Sequence, residues 1–187
     1  MIKFEKVSKF KDVDLPLPAR KTALSAGYDL AVAEDVVIYP YQYHKTLMGE
    51  TMGSVVMPIK SLDEIAQLTR GTNAKPTLVS TGMKCYLDPG YYLELSVRSS
   101  TPLKYWLIMA NGVGIIDADY ADNPNNEGEI FFQFINLSPY PIKLKKGDII
   151  GQGIIKKYEV TDDDKATGKR VGGFGSTTVE PKGWTEC

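Results

Sequence analysis

Apolar positions along this chain fall in short runs that alternate with polar ones, broken every few residues by Gly, Pro, Asn or Asp. The runs DVVIYP (35–40), TLVSTGMKCYLDPGYYLELSV (77–97), GEIFFQFINLS (128–138) and GDIIGQGIIKKYEV (147–160) are rich in Val, Ile, Tyr and Phe. Those residues suit a pleated, half-buried surface, and tight turns between them mark strand ends. Nothing alternates strand with helix in the βαβ manner, so a closed or sandwich-like, mainly β fold is expected. One window departs from this pattern. In SLDEIAQLTRG (61–71), Ser61 reads as an N-cap with Glu64 three residues on, Leu62, Ile65, Ala66 and Leu68 supply apolar positions, and Gly71 stops the run. The spacing predicts one short helix there, inside a segment near 44–75. The polar stretch TDDDKATGKR (161–170) reads as a linker. The expected organisation is a β domain over 1–160 and a flexible C-terminal arm over 161–187.

Composition narrows the function classes. A chain of 187 residues fits one domain with a sizeable core. Its net charge of −1, with both signs interspersed, lacks the electrostatic footprint of a nucleic-acid binder, although a nucleotide monomer stays open as a ligand. No apolar run is long enough to span a membrane, and MIKFEKVSKF at the start alternates charged and apolar residues where a signal peptide would be hydrophobic. The only cysteines, Cys85 and Cys187, form neither a disulfide framework nor a metal cluster. A cytoplasmic location is therefore expected. Cys85 and Trp106 are expected in the core, and the sole histidine, His44, at the surface or an interface.

Candidate chemistry concentrates in NGVGIIDADY (111–120). Gly112 and Gly114 can take positive φ or admit a ligand against bare backbone, and the Asn111 amide adds a donor and an acceptor. Strand alternation would put Asp117 and Asp119 on one face about 7 Å apart, which suits a base and a second charge. Two further stretches carry phosphate chemistry. Arg98, Ser99 and Ser100 close a strand with a guanidinium and two hydroxyls. KRVGGFGSTT (169–178) combines two basic residues, three glycines, one aromatic and three hydroxyls, a composition able to wrap a phosphate chain.

In order, the chain shows AGYDL (26–30), RSS (98–100), NGVGIIDADY (111–120), GDIIGQ (147–152) and GGFGST (172–177). This series resembles the five motifs of the trimeric dUTP diphosphatases, from near residue 20 to near 178 with two insertions. The resemblance implies a jelly-roll-like β subunit, a homotrimer with shared active sites, and Mg²⁺-dependent hydrolysis of dUTP to dUMP and diphosphate, which keeps uracil out of DNA. By the same resemblance, Asp117 activates the attacking water and Tyr120 packs on the deoxyribose and excludes a 2′-hydroxyl. Asn111 and the backbone at Gly114 and Ile115 read the uracil edge. Arg98, Ser99 and Gln152 contact phosphates with Ser100 as a helper, and Asp29 lies near Mg²⁺ through water. Phe174 stacks over the base, while Gly175, Ser176, Thr177 and either Lys169 or Arg170 close over the outer phosphates, the arm being supplied by a neighbour.

Strict alternation sets Tyr120 on the face opposite Asp117, so the resemblance requires a bend or bulge after Asp119. Other departures are ADNPNN (121–126), which lengthens the turn before Glu127 and Gly128, the extra segment near 44–75, and Ile149 where an arginine is common. Two rivals stand beside this reading. A dCTP deaminase shares the fold and the Arg-Ser-Ser motif, but Gln133 falls where its glutamate base belongs, and an amide is no base. A nucleotide-responsive regulatory protein could engage a protein partner through the inserted helix.

Overall fold

The computed structural model describes residues 1–41 and 76–173. The helix expected at 61–71, His44 and the arm residues Phe174, Gly175, Ser176 and Thr177 lie outside them. Among the described residues eleven strands run in chain order: β1 (Lys3–Lys6), β2 (Tyr28–Ala31), β3 (Val36–Ile38), β4 (Thr77–Ser80), β5 (Met83–Tyr86), β6 (Tyr91–Ser96), β7 (Leu107–Met109), β8 (Gly114–Ile116), β9 (Phe131–Asn136), β10 (Ile142–Leu144) and β11 (Ile149–Lys157). One sheet has the order β2-β11-β6-β8 and a second β4-β9-β7, with two-stranded pairs β1-β5 and β10-β3, and every strand pair is antiparallel.

The period-two pattern decides which face goes inside. Leu93 and Leu95 on β6 and Phe132 and Phe134 on β9 are buried at alternate positions, and all four belong to one apolar cluster shared by the two larger sheets. The Phe132 and Phe134 rings stack at 5.7 Å and 7°. Each such buried side chain contributes about 1.5–3 kcal/mol. The sheets meet closely at Gly151, where a Cβ would lie 2.3 Å from the Phe132 ring and 2.8 Å from the Ser96 carbonyl oxygen. The β2-β11 register shifts between Ile149 and Gly151, a bulge that turns the next residue, Gln152, into line with Asp29 and Ser96.

Among the described residues one α-helix occurs, α1 (Ser100–Tyr105), and the periodicity of the sequence gives no sign of it. Pro102 reads as a breaker, but it sits in the first turn, where its missing N–H would have no helical partner. The helix ends at Trp106, whose φ of 52° is left-handed and whose N–H donates to the Pro102 carbonyl. That cap puts Trp106 at the surface with 66% exposure, against the core position expected of it, whereas Cys85 is buried as expected. Burial pushes the Cys85 thiol up to about 12.

Candidate active site

β8 is the edge strand of the four-stranded sheet, so among the described residues one side of its backbone has no sheet partner. Gly112, at φ 69°, makes the turn into it, which only glycine takes without strain. Gly114 lies against Leu95 of β6, where a Cβ would come within 3.1 Å of the leucine side chain. Ile115 is half exposed between the buried Gly114 and Ile116.

The strand ends at Ile116, earlier than alternation suggests. Asp117 to Tyr120 form a turn closed by the Tyr120 N–H donating to the Asp117 carbonyl at 3.1 Å. The turn, rather than a bulge after Asp119, removes the conflict of faces: it brings Asp117 and Tyr120 to one cavity of about 190 Å³. Asn111, Gly114, Ile115, Ile116, Phe131, Gln133 and Leu95 line the rest of it, and Arg170 enters from the arm.

Arg170 holds the site in its present form. Its Nε donates to Asp119 Oδ1 at 2.7 Å, its terminal nitrogen donates to Asp117 Oδ2, and its guanidinium carbon lies 5.5 Å from the centre of the Tyr120 ring. Partial burial works against its charge, but the two carboxylates outweigh that and raise its pKa. Lys169 is exposed, so of the two basic candidates Arg170 is the one in the pocket. Tyr120 is buried; desolvation pushes its hydroxyl pKa up, with the Asn126 amide and Arg170 acting in the opposite direction.

The phosphate candidates form a second group. Gln152 faces both Asp29 and Ser96 in the registers of β11, and its Nε2 donates to Ser96 Oγ at 3.3 Å. Gly27 admits the Gln152 side chain: a Cβ there would stand 2.3 Å from Oε1. Arg98 Nε lies 3.7 Å from Asp29 Oδ1, and Asp29 Oδ2 is buried with no hydrogen-bond partner among the described residues. Ser99 and Ser100 begin α1 beside them. Among the described residues no cluster of three or more His, Cys, Asp or Glu could enclose a metal. The unpartnered oxygen of Asp29 instead fits a cation reached through its water, as hard Mg²⁺ on phosphate oxygens requires.

The two groups do not meet within one chain. Leu93 faces Ile116, immediately before Asp117, whereas Ser96 faces Gln152. Three residues of β6, about 10 Å of strand, lie between those rows, and Arg98 is further on. None of Arg98, Ser99, Ser100, Gln152 or Asp29 lines the Asp117 cavity. Ser96, Gln133 and Asn126, which the sequence reading left without a nucleotide-site role in this enzyme, all touch one group or the other. Ser96 and Gln133 carry no motif signal, while Asn126 lies in a legible Asn-Pro-Asn-Asn turn.

A mainly β jelly-roll-like subunit with a carboxylate turn, a basic glycine-rich arm and a separate row of Arg, Ser and Gln defines a hydrolase of nucleotide phosphates. The chain belongs to the dUTPase family, whose model matches residues 61–178, and it hydrolyses dUTP as a dUTP diphosphatase. A deoxyuridine 5′-triphosphate nucleotidohydrolase of Lactococcus lactis subsp. lactis is 36% identical over 176 residues, 93% of this chain and 95% of that protein. The crystal structure of a dUTPase from Streptococcus mutans superposes with a TM-score of 0.65 at 34% identity, covering 86% of this chain and 98% of the other. The dUTPase from phage phi11 of S. aureus shares the fold at 16% identity and a TM-score of 0.60, over 90% of this chain and 97% of its own. No described helix is long and apolar enough to cross a membrane.

Proposed function

We propose that the reaction takes place where the Asp117 turn of one subunit meets the Arg98, Ser99, Gln152 and Asp29 group of another, in a homotrimer. The observation that carries this reading is the separation of the two groups within one chain, each incomplete by itself. A closed ring of identical subunits makes each site from unlike surfaces of neighbours.

Asp117 is half exposed, so water reaches it. Its carboxylate takes a proton as the water oxygen bonds to the α-phosphorus; the bond from that phosphorus to the bridging oxygen of the β-phosphate breaks, and diphosphate leaves with dUMP remaining. A placed general base contributes about 10²- to 10⁴-fold. Asn111 and the free edge of β8 at Gly114 and Ile115 pair with the uracil edge. The Tyr120 ring lies along the deoxyribose. Arg98, Ser99 and Gln152, helped by Ser100, bind phosphate oxygens, where a guanidinium is well matched. Asp29 would hold a Mg²⁺ ion near the phosphate group of residues, and that ion would supply neutralisation of the charge on the leaving diphosphate. A mutant of the phage phi11 enzyme has been described with a structural Mg(II) ion.

Arg170 pairs with the Asp117 carboxylate. A guanidinium matches phosphate oxygens as well as carboxylate, so Arg170, with Lys169 and the motif residues Gly175, Ser176 and Thr177, would bind the outer phosphates and leave Asp117 to act as the base. Asp117→Asn tests the assignment: turnover of dUTP is expected to fall about 10²- to 10⁴-fold, with dUTP binding by calorimetry retained. Turnover within twofold of wild type would remove Asp117 from the reaction.

A further inference from the structure

Within residues 121–126, ADNPNN, Asn123 and Asn126 turn their side chains inward beside the pocket. Asn123 is 5% exposed, and its Nδ2 donates to the Tyr120 carbonyl at 2.9 Å and to Asn126 Oδ1 at 2.7 Å. Asn126 Oδ1 also accepts from the Gly128 N–H at 3.1 Å. Both partners of that oxygen are donors, which fixes the amide orientation and turns Nδ2 toward the tyrosine. Nδ2 donates to Tyr120 Oη at 2.8 Å, and Oη donates to the Glu129 carbonyl at 3.2 Å. The only proton of the tyrosine hydroxyl is thus committed inside the protein. The arm passes the same pair, since a Cβ on Gly173 would lie 3.3 Å from Oη and 3.6 Å from Asn126 Nδ2.

The loop is tied down from outside as well. Asp122 accepts from Lys84 Nζ at 2.5 Å and from the Tyr86 hydroxyl at 2.8 Å, and Glu127 accepts from the Ser8 N–H at 2.9 Å. Asp122 and Glu127 both take positive φ, 59° and 57°, so the turn holds a shape that non-glycine residues adopt only when their surroundings require it.

We propose that Asn126 is a positioning residue for sugar selection: by holding Tyr120 Oη it sets the ring as a wall of carbon with no hydroxyl offered to the nucleotide. A 2′-hydroxyl brought against that wall loses water and gains no partner, whereas a deoxyribose loses nothing. The inference rests on the reading of Tyr120 as the sugar wall, and the same experiment separates the two.

The full chain is assayed for kcat/KM on dUTP and on UTP as wild type, Asn126→Ala, Asn126→Asp, Tyr120→Phe, Tyr120→Ala and the double variant Asn126→Ala/Tyr120→Phe. Asn126→Ala is expected to lower the dUTP:UTP ratio roughly fivefold, the worth of one hydrogen bond. Asn126→Asp still accepts from Asn123 and Gly128 and takes the tyrosine proton, so part of the ratio returns. Tyr120→Phe removes the bond from Asn126 together with that to the Glu129 carbonyl and lowers the ratio at least as far as Asn126→Ala does, and the double variant lowers it no further than Tyr120→Phe, because the Asn126–Tyr120 bond is already gone. A ratio unchanged in Asn126→Ala and Tyr120→Phe but lowered in Tyr120→Ala overturns the role of Asn126 alone. A ratio unchanged in Tyr120→Ala overturns the sugar wall and Asn126 with it. If Asn126→Ala does not fold, Tyr120→Phe decides between the same outcomes.

Discussion

At Gly27 and Gly151 the same missing methyl group has opposite consequences. A Cβ on Gly27 meets the end of the Gln152 side chain, which can swing away; a Cβ on Gly151 meets the Phe132 ring and the Ser96 carbonyl, which cannot. Gly27→Ala is therefore expected to lower kcat/KM for dUTP roughly tenfold by displacing Gln152 from its proposed place on the phosphates, with the urea midpoint unchanged. Gly151→Ala is expected to destabilise the fold by about 1–3 kcal/mol. The reverse assignment, with Gly27→Ala unstable and Gly151→Ala merely slow, would contradict the packing described. Residue types were legible from the sequence in both motifs, AGYDL and GDIIGQ, but the reason for each glycine was not. It lies in a side chain more than a hundred residues from Gly27, and for Gly151 on the opposite sheet. Tyr120 is similar: its presence in the site is legible in NGVGIIDADY, and its hydrogen bond to Asn126 needs the turn at Asp117 to be known.

Among the elements, strands were the most legible because each buries alternate side chains, as β6 and β9 do. Helix α1 was not, since six residues with a proline in the first turn present no helical period. The loop 121–128 reads in sequence only as extra length. In the structure it is an element with its own electrostatics. The Lys84 ammonium pulls the Asp122 carboxyl below its ordinary value of 3.8, with burial opposing and Tyr86 assisting. Burial works against the Lys84 charge too, yet Asp122 and Tyr86 outweigh it and its pKa is raised. The sign follows from linkage. Asp122 binds its proton less readily when folded, so its stabilisation is present above about pH 3.8 and is lost as pH falls through the lower folded value. For Lys84, raised on folding, the contribution is present throughout the neutral range and is lost only above ordinary lysine pKa values. In Asp122→Asn the urea midpoint is expected to be lower at neutral pH and to fall less steeply on acidification than in wild type. Parallel pH profiles for the two proteins would show that the Lys84–Asp122 pair contributes nothing to holding the loop.

For the molecule as a whole, the register of the four-stranded antiparallel sheet sets the Asp117 turn and the Arg98–Gln152 row at different ends of the β6-β8 and β6-β11 pairings. Fold class and family were legible from the alternation and the motif order, and the family match over residues 61–178 agrees with both. What the sequence could not carry is that motifs close in chain order, RSS and NGVGIIDADY, end up in separate groups. Strand register decides that, and register appears only when partners are paired. The separation implies that a chain lacking Asp117 and a chain lacking Arg98 can repair each other. Asp117→Asn and Arg98→Ala, each strongly impaired alone, are unfolded together in equal amounts, refolded, and assayed for release of diphosphate from dUTP with Mg²⁺. Random assembly of shared sites is expected to restore roughly a quarter of wild-type activity, because a site is intact when its Asp117 and its Arg98 come from different, complementary subunits. A mixture as inactive as either variant would mean that both residues serve one site from one chain, and would contradict the account.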